Sequence, residues 1–157
     1  MAHRMGGFVM YDIATNPARP AEWGRIANLW YVTDLAISSD GKTVAVTEQD
    51  GDLKLYDTTS SGKPTLLASL RLPGTAQAVE FAPDRKIAYV AAGESGLHIV
   101  DLTDFAAPKL LGTYTSEMAI HGVTVSEDGS QIYASTEEGV AILLARQDAL
   151  PVLVGIL

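Results

Sequence analysis

The chain has 157 residues, 47% of them apolar, and a net charge of -8. That apolar content supplies one folded core and excludes a disordered chain. The acidic balance excludes nucleic acid as a partner, because phosphate binding requires a basic surface, and favours a cation or a basic protein instead.

With no cysteine, disulfides, thiolate metal sites and cysteine nucleophiles are out. No apolar run approaches the ~20 residues that span a bilayer. The start, Met1-Ala-His-Arg-Met-Gly-Gly, leads into too short an apolar stretch for a signal peptide. The expected compartment is therefore the cytoplasm, or the outside of the cell if the chain is a piece of a longer exported protein.

In chain order, residues 6–29 read as half a repeat unit: a strand over 8–13 and another over about 22–28. Three complete units follow, at 32–72, 76–115 and 120–157. The clearest is the middle one. Val79 and Phe81 alternate in its first strand, and Pro83-Asp84-Arg85 makes a turn. Residues 87–91 form the second strand, 93–96 a turn and 97–101 the third strand. A loop to Pro108 leads to the fourth strand at 109–114. Period-2 alternation and β-branched content specify strands, and no stretch predicts a helix longer than about two turns.

The same pattern recurs along the chain. Leu35/Ile37, Val79/Phe81 and Val123/Val125 take equal places, as do Val44/Val46, Ala88/Val90 and Ile132/Ala134. Leu53/Leu55, Leu97/Ile99 and Val140/Ile142 follow, preceded by Phe8/Met10. From these alternating positions the expected core is Leu35, Ile37, Val44, Val46, Leu55, Val79, Phe81, Val90, Ile99, Val123, Val125 and Ile132. Three rulers give the period: Pro20, Pro64, Pro108 and Pro151; Asp40, Asp84 and Asp128; Asp12, Asp57 and Asp101. All are spaced 43 to 45 residues apart. A fixed β-type period in the forties predicts four-stranded antiparallel blades of a β-propeller. The count is fourteen strands, three and a half blades. Closed propellers have 4 to 8 blades, so this chain reads as a partial propeller, closed by oligomerisation if at all.

Residues 87–91, then Gly96-Leu-His-Ile-Val-Asp-Leu-Thr-Asp and Ala107-Pro108-Lys-Leu-Leu-Gly-Thr-Tyr, resemble the LVIVD repeat. The Asp-Gly turns at Asp40 and Asp128 resemble those of YVTN and WD40-like propeller repeats. The resemblance implies a propeller of prokaryotic type, often exported or surface-associated, and it carries no assigned activity. The last unit departs from the pattern, with Leu144 in place of the strand-ending aspartate.

Motifs for chemistry are scarce. There is no nucleophile elbow, zinc-binding His-Glu-x-x-His or phosphate-cradling glycine loop. Asp50-Gly-Asp52 and Asp101-Leu-Thr-Asp104 are fragments of calcium loops without the remaining ligands, so no cofactor is expected, calcium being the one cation they would suit. His98 aligns with Val9, Lys54 and Ala141 and reads as packing or surface. His121 aligns with Thr33 and Gln77, polar residues opening each innermost strand. With Asp34, these three are placed at the mouth of the central channel. In a four-stranded meander the second turn and the inter-blade link emerge on one face. That gathers Trp30, Tyr31, Glu48, Asp50, Glu94, Met118, Glu137 and Glu138 beside His121 as a candidate face for a basic or amphipathic protein partner.

The expectation is a non-enzymatic module for protein binding or self-assembly, as a homodimer or higher. The rival is a metal-dependent propeller hydrolase acting on esters, lactones or phosphates through channel carboxylates, for which only Asp34 and His121 are at hand. A structural surface or adhesin segment is the third reading.

Overall fold

The computed structural model describes residues 2–3, 6–60, 62–83, 86–146 and 150–157, with Ala2 and His3 as backbone only. The turn at Asp84 and Arg85 lies outside the described residues. The protein is all β, without a helix among these residues. The first sheet holds β1 (Ala2–His3), β2 (Gly7–Asp12) and β3 (Ala21–Ile26). The second holds β4 (Val32–Ile37), β5 (Thr43–Glu48), β6 (Asp52–Asp57) and β7 (Thr65–Arg71). The third holds β8 (Ala78–Phe81), β9 (Ile87–Ala91), β10 (Leu97–Asp101) and β11 (Lys109–Tyr114). The fourth holds β12 (Ile120–Val125), β13 (Gln131–Thr136), β14 (Val140–Leu144) and β15 (Val152–Ile156). Each sheet is an antiparallel meander in sequence order. The predicted fourteen strands become fifteen, because Ala2–His3 pairs with Phe8 and Gly7. Two residues are too few to show an alternation.

The sheets stack face to face like blades. The inner strand β8 touches both β4 and β12, so the first strands of the complete sheets line a common centre. No strand pairing joins the fourth sheet to the first among the described residues. Three apolar layers hold the stack. Phe8, Val32, Val44, Val46 and Tyr56 fill the first junction. Ala36, Ala45, Leu53, Leu55, Val79, Phe81 and Val90 fill the second. Tyr89, Leu97, Ile99, Ile120, Ile132 and Leu143 fill the third.

Of the expected core, Val44, Val46, Leu55, Val79, Phe81, Val90, Ile99 and Ile132 are buried, and Leu35, Val123 and Val125 pack partly buried against it. Ile37 is the exception, 57% exposed. Its repeat equivalents Phe81 and Val125 are covered by the two inner strands of the preceding sheet. The first sheet offers only the short β1 in that region among the described residues.

Two devices repeat with the period. The turns at Asp40 and Asp128 share one network. Ser38 Oγ donates to Asp40 Oδ1 at 2.7 Å and accepts from Thr43 N at 3.0 Å; Ser126 does the same with Asp128 at 2.6 Å and Gln131 N at 2.9 Å. This is aspartate satisfying its own turn. The second device is a β-bulge. All four pairings of third with fourth strand shift register at one place: Met10/Tyr11, Leu55/Tyr56, Ile99/Val100 and Ile142/Leu143. The extra residue lies on the outer strand, at Trp23, Leu67, Leu111 and Val154. Glycine is required where the third strands begin. Gly7, Gly96 and Gly139 all have positive φ, and a side chain there would run into the carbonyl of Ile26, Tyr114 or Leu157.

Candidate functional site

Two more bulges shape the centre. The pairing of β4 with β5 shifts between Val32 and Asp34, and that of β12 with β13 between Ile120 and Gly122. The residues left over are Thr33 and His121. A bulge re-aims its side chain, and both line polar hollows at the channel mouth. One of about 540 Å³ is bounded by Tyr31, Thr33, Gln49, Thr75, Gln77 and His121. A second of about 370 Å³ shares Thr75, Gln77 and His121 and extends to Glu94 and Glu137.

His121 Nδ1 lies 2.8 Å from Gln77 Oε1. The amide oxygen can only accept, so Nδ1 carries the proton. Nε2 is left facing Glu137 Oε1 at 3.8 Å. Thr33 Oγ1 donates to the Ala76 carbonyl at 2.7 Å, tying the second sheet to the third. Asp34, expected at the channel mouth, is spent differently: its Oδ2 accepts the Val79 amide at 3.0 Å, so it joins inner strands and does not line either hollow.

The residues expected on the acidic and aromatic face sit in different settings. Trp30 is 65% exposed, edge-on to Tyr31 with ring centroids 5.4 Å apart. Tyr31 holds a φ of 45°, uncommon for a bulky residue. Glu48 is not open on the face: it is 2% exposed. Its Oε2 pairs with Lys54 Nζ at 2.6 Å and its Oε1 accepts the Trp30 amide at 3.0 Å. It positions the aromatic pair and offers no charge to a partner. Exposed acid comes from Asp50, Glu94, Glu137 and Glu138. Met118 is half-buried, its sulfur 3.8 Å from Thr136 Oγ1.

The carboxylates of Glu48, Asp50 and Asp52 approach within 4.8 Å of one another. Basic groups answer all three: Lys54 holds Glu48, and Arg71 reaches Asp50 at 2.9 Å and Asp52 at 3.2 Å. The other calcium-loop fragment is turn chemistry: Asp101 accepts the Thr103 amide and Asp104 the Ala106 amide. His98 is buried at 1% exposure, with Nε2 2.9 Å from the Pro73 carbonyl and Nδ1 2.8 Å from Thr113 Oγ1. It staples its sheet to the link that precedes it. Gln49 and Thr75 join the site without having been singled out in the sequence. Their signal is position: each lies in a turn or link on the face already read.

Blades around a shared centre, with polar residues aimed into it, define a propeller-type repeat protein. Residues 85–116 match the LVIVD repeat, a β-propeller-type repeat family. A comparison with curated proteins finds no match. Solved structures are similar in fold. Two are crystal structures described as putative 6-phosphogluconolactonases. The one from Bacteroides uniformis ATCC 8492 is 22% identical with a TM-score of 0.68, over 80% of this chain and 40% of that one. The one from Bacteroides fragilis NCTC 9343 is 14% identical with a TM-score of 0.73, over 82% of this chain and 39% of that one. The chain thus spans about 40% of the length of these structures. At such identities the likeness is one of fold.

Proposed function

We propose that the chain is a non-enzymatic propeller module that gathers with further copies through its first and last units and docks a basic or amphipathic protein on the channel-mouth face. The observation that carries the docking is Trp30. A large aromatic ring stands 65% exposed where a buried carboxylate fixes its backbone, and fixed exposed aromatics are the usual anchors of protein interfaces. Glu94 and Glu137, which line the second hollow, favour a cationic partner. A synthetic amphipathic peptide of alternating Lys and Leu tests this. It should bind saturably, and Trp30→Ala should weaken binding at least tenfold; equal binding by the variant would overturn it.

Self-association is tested separately by light scattering at micromolar concentration. The expected mass is at least twice 16.7 kDa, and a monodisperse monomer would overturn that half of the reading.

A second reading is metal-dependent hydrolysis of an ester, lactone or phosphate. It has two observations on its side: the printed description of the similar structures, and His121 beside Glu137 over the polar hollow. Turnover of a lactone that needs added divalent cation and falls in His121→Ala would favour it over binding.

A further inference from the structure

The two hollows at the channel mouth adjoin and differ in charge. They share Thr75, Gln77 and His121. The first, of about 540 Å³, adds the uncharged Tyr31, Thr33 and Gln49. The second, of about 370 Å³, adds Glu94 and Glu137. Hollows of this size suit a small molecule. No Lys or Arg among the described residues lines either one, so a phosphate or carboxylate group would enter without a counter-charge.

Several lining groups have hydrogen bonds to give. The Tyr31 hydroxyl and the Gln49 side-chain amide have no hydrogen-bond partner among the described residues. Gln77 Nε2 makes one long contact, 3.4 Å to Thr75 Oγ1, and keeps a second N–H. With its proton on Nδ1, His121 offers Nε2 as an acceptor. Donors and acceptors thus stand together on an uncharged wall, which suits a ligand rich in hydroxyls, since each hydroxyl both donates and accepts. The Tyr31 end of the wall is fixed in advance. The Tyr31 carbonyl accepts the Gln49 amide at 3.0 Å, and the neighbouring Trp30 amide is held by buried Glu48. A wall already in place loses little freedom on binding. At the other end, Glu94 and Glu137 pair with no Lys or Arg among the described residues, and Glu137 has only His121, at 3.8 Å. They call for a cation.

We infer that the joined hollows are a binding site for an amino sugar, its hydroxyls on Gln49, Gln77 and His121 and its ammonium toward Glu94 and Glu137. The inference goes beyond the docking of a protein at Trp30, a residue that lines neither hollow.

The probe is the disaccharide of glucosamine, titrated into the whole chain by calorimetry at neutral pH. Saturable binding at millimolar concentration is expected. The N-acetylated disaccharide keeps the ring hydroxyls without the charge and should bind about fivefold more weakly, the worth of an exposed ion pair. Cyclohexylamine, an ammonium on a ring without hydroxyls, should bind more weakly than the disaccharide, and glucose 6-phosphate should not bind. Gln49→Ala and Glu137→Gln, both at exposed positions, should each weaken the disaccharide about fivefold and leave the melting temperature of the free protein unchanged. Absence of saturable binding overturns the inference. So does equal binding by any of the three other ligands or by either variant. If the Lys and Leu peptide fails to bind and the disaccharide still does, the docking reading falls and this one stands; the reverse result removes this one alone.

Discussion

Glu48, His98 and Tyr56 show how single polar groups are carried into these junctions. Each is buried, and two are answered: Glu48 by Lys54 and the Trp30 amide, His98 by Pro73 and Thr113. Lys54→Met should leave the carboxylate buried without its counter-charge. The expected cost is roughly 3 kcal/mol in urea denaturation, with a change in Trp30 emission before unfolding. His98→Ala removes two hydrogen bonds and strands a carbonyl, a loss of about 2–4 kcal/mol by the same measurement. Tyr56 is 4% exposed, edge-on to Phe8. Burial, with the Glu48 charge adding to it, pushes its phenol from 10.0 up to about 12. The neutral phenol is the form the junction tolerates. Its contribution is full below pH 10 and is lost as pH rises to about 12, roughly 2 kcal/mol in all. A pH series of thermal melts should show this loss, and Tyr56→Phe should flatten it. None of the three is legible in the sequence as a buried group. Glu48 reads as turn acid and His98 as packing or surface, because partners arrive from other strands and from the preceding link.

At the scale of the strand, alternation predicts most of what is seen. Val79 and Phe81 face the second sheet as the period-2 pattern requires, and Val79→Asp should cost several kcal/mol by burying an unpaired charge. Alternation gives the face of a side chain but does not say what lies opposite. Phe81 and Ile37 hold the same place in the repeat, yet Phe81 is 8% exposed and Ile37 57%. Phe81→Asp should therefore unfold the protein at least 3 kcal/mol more easily, and Ile37→Asp should change a melting curve little. Equal losses from the two would contradict the open first junction. The bulges at Thr33 and His121 are another part that the pattern hides. The sequence aligns these residues with Gln77 and marks them polar; the register shift that turns them toward the channel belongs to the pairing of two strands.

The molecule is a row of four sheets, and among the described residues its three core clusters join each sheet to its neighbours. Stability in such a row is close to a sum of junctions. The second and third junctions are the fullest and the first is grooved, so hydrogen exchange should be slowest in β8 to β10 and fastest in β2 and β3. Uniform protection across all four sheets would contradict the additive picture. The period of about 44 residues made this architecture readable, because three sets of residues repeat it independently. The surplus strand β1 was not readable, since a pairing of two residues leaves no alternation in the sequence.

The bulge shared by all four outer strands bears on how such a row can grow. The rim carries Leu66, Leu111, Leu153 and Val154, all 40% exposed or more, on strands whose outer edges have no partner strand among the described residues. A straight rim of this composition would be a template for cross-β stacking. One surplus residue per rim strand kinks it, which spoils the match to a foreign strand. Lateral growth into fibrils is thereby discouraged while the blade faces stay open to partners. Deleting Leu111, which would straighten the rim of the third sheet, should leave a folded protein that seeds thioflavin-positive fibrils the parent does not form.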